Sequence, residues 1–114
     1  MREINYKKII MLDEKEIKLS TAPILLLKLR STDKKAYKSL CNKLYNGLPT
    51  DDIVSFYEFA HCAYLNASQG ENDLLDLEGF IDQWPLDMAE TSQLVVEMIN
   101  PPKKPDLESL SQEE

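Results

Sequence analysis

The stretch Ile53-Val54-Ser55-Phe56-Tyr57-Glu58-Phe59-Ala60-His61-Cys62-Ala63-Tyr64 decides the fold. Its apolar residues Ile53, Val54, Phe56, Tyr57, Phe59, Ala60, Ala63 and Tyr64 recur with helical spacing but wrap too far around for a surface stripe. A helix that is apolar on most sides has to be enclosed by other elements. The segment therefore predicts a central helix. Thr50-Asp51-Asp52 precede it, and their acids suit the positive end of the helix dipole.

Working back toward the N-terminus, Ser31-Thr32-Asp33 offers a cap for a helix whose Ala36, Tyr37, Leu40, Cys41, Leu44 and Tyr45 share one face. Lys34, Lys35, Lys38 and Lys43 fill much of the other face, which reads as solvated, and Gly47 with Pro49 ends the helix. Before it, Thr21 can cap and Pro23 fits the first turn of a short helix. From Ile24 to Leu29 that helix is apolar nearly all round, which places it in the middle of the fold. Earlier still, residues 3–12 alternate loosely and include the β-branched Ile9 and Ile10. Asp13-Glu14-Lys15 makes a polar break, and Glu16-Ile17-Lys18-Leu19 alternates cleanly. Period-two patterning on both sides of a polar link predicts a β-hairpin.

Toward the C-terminus, residues 66–73 with Ser68 and Gly70 read as a loop. A short helix over residues 76–83 should bury Leu77, Phe80, Ile81 and the following Trp84. Pro85 then separates it from a last helix over 86–99, with Leu94, Val95, Met98 and Ile99 inward. Pro101-Pro102-Lys103-Lys104-Pro105 cannot continue that helix, and residues 106–114 are polar and acidic. The expectation is one α+β domain over residues 1–100, mainly helical. An N-terminal β-hairpin is followed by about five helices, and a flexible acidic tail covers 101–114.

The 114 residues carry 13 Lys+Arg against 20 Asp+Glu, a net charge of −7. Such a surface repels phosphate backbones and anionic lipid, so neither nucleic acid nor a membrane is the expected partner. The apolar run Ile24-Leu25-Leu26-Leu27 falls far short of the ~20 residues of a membrane span. The opening Met1-Arg2-Glu3 lacks the layout of a signal peptide, which points to the cytoplasm. Cys41 and Cys62 belong to no CxxC pair and read as small core residues.

Chemistry finds little to stand on. His61 and Cys62 are neighbours on a helix and point about 100° apart, so they do not share a ligand geometry. Cys41 would have to come from another helix, and a fourth metal ligand is missing. Asp51-Asp52 and Asp73, Asp76 and Glu78 suggest calcium only until Leu74-Leu75 breaks the loop pattern. No phosphate-binding glycine loop, nucleophile elbow or zinc-protease helix is present. The expectation is a protein with no catalytic, metal or cofactor residues, a binder rather than an enzyme. Tyr37, Tyr45, Tyr57 and Tyr64 sit mostly at core spacing, with room for one or two as exposed anchors.

The order just read, with Lys15-Glu16-Ile17-Lys18-Leu19 before a Leu-rich helix, an Ile/Val-aromatic-Ala helix over 53–64, and Leu77-Glu78-Gly79-Phe80-Ile81-Asp82, resembles the small tail assembly chaperones of long-tailed bacteriophages of Gram-positive hosts. The likeness is one of pattern and order, and covers roughly residues 4–100. Gly79 departs from the helix former that the pattern calls for. The resemblance implies a role in virion morphogenesis in the bacterial cytoplasm. Such a chaperone binds the tape measure protein and keeps it soluble until tail tube protein polymerises around it. In many of these phages a frameshift extends the chaperone, and an acidic C-terminal tail is compatible with that.

On this reading Ile24, Leu25, Leu26, Leu27 and Leu29 are the candidate partner-binding residues, because they offer more apolar surface than one short helix can bury. The competing reading makes each of them core. An empty apolar face would also favour self-association into a homo-oligomer. The rival function is a small acidic inhibitor or immunity-type protein that neutralises a basic partner through charge, with affinity that falls steeply as salt rises.

Overall fold

The computed structural model describes residues 6–48 and 52–99. The predicted acidic tail, and Pro49, Thr50 and Asp51, lie outside them. Two strands, β1 (Lys7–Ile10) and β2 (Glu16–Leu19), pair antiparallel with Ile9 opposite Ile17. Five helices follow among the described residues: α1 (Pro23–Thr32), α2 (Lys34–Asn46), α3 (Ile53–Ala67), α4 (Leu77–Gln83) and α5 (Met88–Ile99). The α+β class, the hairpin and the helix order agree with the sequence reading.

The hairpin closes through a three-residue loop. The Glu14 amide donates to the Met11 carbonyl (2.8 Å), and the Met11 amide donates to that of Lys15 (2.9 Å). This is a type I turn followed by a bulge residue in the left-handed region, a place usually given to Gly. Here Glu14 occupies it at φ 72°. Glu14→Gly should raise stability by about 0.5–1 kcal/mol, the strain relieved exceeding the entropy lost. A urea melt that shows no gain, or a loss, would contradict this.

Helix α3 is the enclosed element, with Phe56, Phe59, Ala60, Cys62, Ala63 and Tyr64 buried along it. Asp52 caps it, its carboxylate accepting from the Val54 amide (3.1 Å). Two clusters flank α3. One joins Met11 and Leu19 of the hairpin to Ala60, Tyr64, Phe80 and Trp84; the other joins Leu29, Leu40, Phe56, Phe59 and Val95. Leu65 and Met98 pack against both, so the core is continuous around α3.

The joints differ in places from expectation. Thr21 does not cap α1: the cap position is Ala22, with no side-chain bond, and Ser20 Oγ instead accepts from the Ala22 amide (3.1 Å). Ser31 and Thr32 continue α1 rather than capping α2. Asp33 alone does that, its carboxylate accepting from the Ala36 amide while its own amide donates to Leu29 (2.8 Å). Helix α5 starts at Met88, two residues later than predicted. Asp87 and Glu90 form a reciprocal capping box there, each carboxylate accepting from the other's amide (2.8 and 3.1 Å).

Gly79 also finds its reason. A Cβ there would lie 3.1 Å from Asp76 Oδ1, the atom that accepts the Gly79 amide to cap α4. Ile81, expected inside, is exposed, because Phe80 takes the inward position on this short helix.

Candidate partner-binding surface

The five apolar residues of α1 are divided by the helix. Leu29 is buried in the second cluster, Leu26 packs half-buried against it, and Leu25 is half-buried. Ile24 and Leu27 turn outward, 52% and 56% exposed. Leu25 is held at the backbone, its carbonyl accepting from Gln69 Nε2 (2.7 Å). The outward face runs Ile24, Leu27, Lys28 and Ser31, all exposed at the i, i+3, i+4, i+7 spacing of one helical stripe. Ile24 and Leu27 thus form the accessible part of the predicted site, and Leu29 belongs to the core.

What fixes α1 in this orientation is a buried polar joint with α3. The Ser20 amide donates to the Ala63 carbonyl (3.1 Å), and the Ser20 carbonyl accepts from Asn66 Nδ2 (2.9 Å). Gln69 Nε2 lies 3.1 Å from the Asn66 carbonyl and 3.2 Å from Asn66 Oδ1, as well as bonding Leu25. Asn66 is fully buried, so its amide is used where water cannot reach. The sequence reading placed Asn66 in a loop. It ends α3 instead and ties the strand-to-helix link in place.

Helix α2 carries exposed Lys34, Lys38, Asn42 and Tyr45 along one side. Tyr45, expected at core spacing, is 90% exposed. Lys43 departs from the solvated lysines: it is largely covered against α3, donating to Ser39 Oγ (2.9 Å) and pairing with Glu58 (3.7 Å). Lys28, Arg30, Lys34, Lys35 and Lys38 are exposed and make no ion pair among the described residues.

A feature the net charge conceals is how unevenly the charge is distributed. Residues 23–46 hold six Lys/Arg and one Asp, whereas residues 47–99 hold eleven Asp/Glu and no Lys or Arg. The signal lies in the plain order of residues and is lost in a total of −7. A net-positive α1–α2 hairpin therefore precedes a strongly acidic stretch of the chain.

Glu58, His61 and Cys62 of α3 line a cleft of about 350 Å³ together with Asp33, Lys35, Ser39 and Leu77. The His61 ring lies against Phe80 (5.3 Å between centroids), and its Nε2 donates to the Leu75 carbonyl (2.8 Å), which accepts only. The neighbouring Leu75 amide donates to Tyr64 Oη (3.0 Å), so α3 clamps this loop at both backbone groups. The Cys62 thiol turns elsewhere, toward Ser39. This matches the reading of His61 as a packed aromatic and of Cys62 as core, whereas Cys41 is only half-buried. Among the described residues no group of three or more His, Cys, Asp or Glu is placed to share a metal ion.

Burial pushes the Cys62 thiol above its ordinary pKa of 9.0, and the Ser39 hydrogen bond only partly offsets this. Above that ordinary value the unfolded chain loses a proton that the native state keeps. The Cys62 contribution to stability is therefore full below pH 9 and declines as pH rises through and beyond it. Native Cys62 should alkylate at least about tenfold more slowly than in the denatured chain. Mass spectrometry after iodoacetamide at pH 8 checks this, and equal rates would contradict the burial.

Among the described residues, no helix is long and apolar enough to cross a membrane. Compared with known proteins, the chain matches no family model, no curated protein and no solved structure.

Proposed function

We propose that this protein is a non-enzymatic binding protein that acts as a bacteriophage tail assembly chaperone, covering apolar helical segments of the tape measure protein until tail tube subunits assemble. One observation carries the reading: α1 turns Ile24 and Leu27 to solvent on a single stripe while Leu29 anchors the same helix in the core. A surface of that form accepts an amphipathic helix, whose apolar residues gain by leaving water. The resemblance in element order supplies the identity of the client, and the acidic surface would help keep a complex soluble.

The test is co-expression with a tape measure fragment. The fragment should move to the soluble fraction with the protein, and Ile24→Asn/Leu27→Asn should abolish most of that gain while the thermal melt stays within a few degrees, since both positions are exposed. A fragment equally insoluble with and without the protein would refute the reading.

The acidic inhibitor remains the second reading, favoured by the eleven carboxylates of residues 47–99. A basic partner captured through those acids would ignore the substitutions on α1 and dissociate as salt rises.

A further inference from the structure

We infer that the α1–α2 hairpin seats an acidic amphipathic segment of a partner protein. The inference rests on the reading of α1 as a binding face and adds the charge of what that face takes. Ile24 and Leu27 supply an apolar line, and Lys28 continues the same stripe. Lys34 and Lys38 are exposed on α2, which packs on α1 and is joined to it by Asp33 alone. Lys34 and Lys38 are like charges at the i, i+4 spacing of one helix face, which repel one another, and neither they nor Lys28 has a described carboxylate within 4.0 Å. Carboxylates brought by a partner would relieve it.

The apolar line decides between a protein and a nucleic acid. Ile24 and Leu27 gain nothing from a phosphate backbone, whereas leucines on one face of an acidic helix cover them. A duplex would also meet the repulsion of residues 47–99, which carry eleven Asp/Glu and no Lys or Arg. A short segment avoids them, since screening confines its interactions to about 8 Å at physiological salt.

Fluorescence anisotropy with the full chain tests this. The probe is a labelled amphipathic peptide of about 18 residues, long enough to form a helix on binding, with Leu on one face and Glu on the other. The same peptide with Lys in place of Glu and a short random duplex DNA are the comparisons. The Glu peptide should bind at least about tenfold more tightly than the Lys peptide. Lys34→Glu/Lys38→Glu should cost about tenfold for the Glu peptide and improve binding of the Lys peptide. Lys8→Glu, on strand β1 and away from both helices, should change neither. Circular dichroism melts confirm that the variants fold.

Equal or tighter binding of the Lys peptide, duplex DNA bound as tightly as the Glu peptide, or no binding of either peptide would overturn the inference. So would sedimentation showing that Lys34 and Lys38 instead hold two copies of this chain together. Soluble tape measure fragment with peptide binding indifferent to charge would sink this inference alone. Selective binding of the Glu peptide with no gain in fragment solubility would sink the chaperone reading alone.

Discussion

Phe80→Ala should destabilise the protein by about 3–5 kcal/mol, a large part of the 5–15 kcal/mol typical of a whole domain. Phe80 has no exposed surface and is the one buried residue of α4. Its ring lies 5.0 Å from Trp84, 5.3 Å from Tyr64 and 5.3 Å from His61, centroid to centroid. Removing it takes the centre from four rings, and α4 is too short at seven residues to hold together without tertiary packing. Loss of Trp84 burial should accompany the loss of stability, so tryptophan emission should shift to the red before the main transition. A melt within 1 kcal/mol of the parent by the usual error of such measurements would show that α4 contributes little to the core.

Asn66→Leu should cost about 1–3 kcal/mol although it keeps a side chain of similar bulk. Leucine offers nothing to the Ser20 carbonyl, which is left without its 2.9 Å donor inside the protein. Gln69 loses one of its three acceptors as well. Because this joint holds the strand-to-helix link against α3, the backbone amides of residues 20–26 should exchange with deuterium faster than those of α5. Uniform exchange, or an unchanged midpoint in urea, would mean that the joint is dispensable.

The enclosed helix was the easiest element to read, since Phe56, Phe59, Ala60 and Ala63 bury much of α3; Val54, counted with them in the sequence, is instead exposed in the first turn. The stretch from Ile24 to Leu29 was harder for the opposite reason. A run that is apolar all round gives no direction, and the choice of Leu29 as inward and Ile24 and Leu27 as outward came from tertiary packing. Tyr45 lies nine residues, and so about 180° of helix, on from buried Ala36; it falls on the exposed side with Lys34, Lys38 and Asn42, while Leu44 beside it turns to the cluster around Leu40. Asn66 could not be distinguished from a loop asparagine, because its partner is a backbone carbonyl forty-six residues away. The capping box at Asp87 and Glu90 was written in the sequence, three residues apart, and marks the start of α5 better than the preceding proline does. The positive α1–α2 hairpin is equally legible in the order of residues, where six Lys/Arg and one Asp fall between positions 23 and 46.

Asp33 serves as the last word of one helix and the first of the next: its amide closes α1, its carboxylate and carbonyl open α2. With one residue between them, the two rods share a joint with almost no spare chain. Loosening this one residue, as Asp33→Gly would, should therefore fray the end of α1 and the start of α2 together.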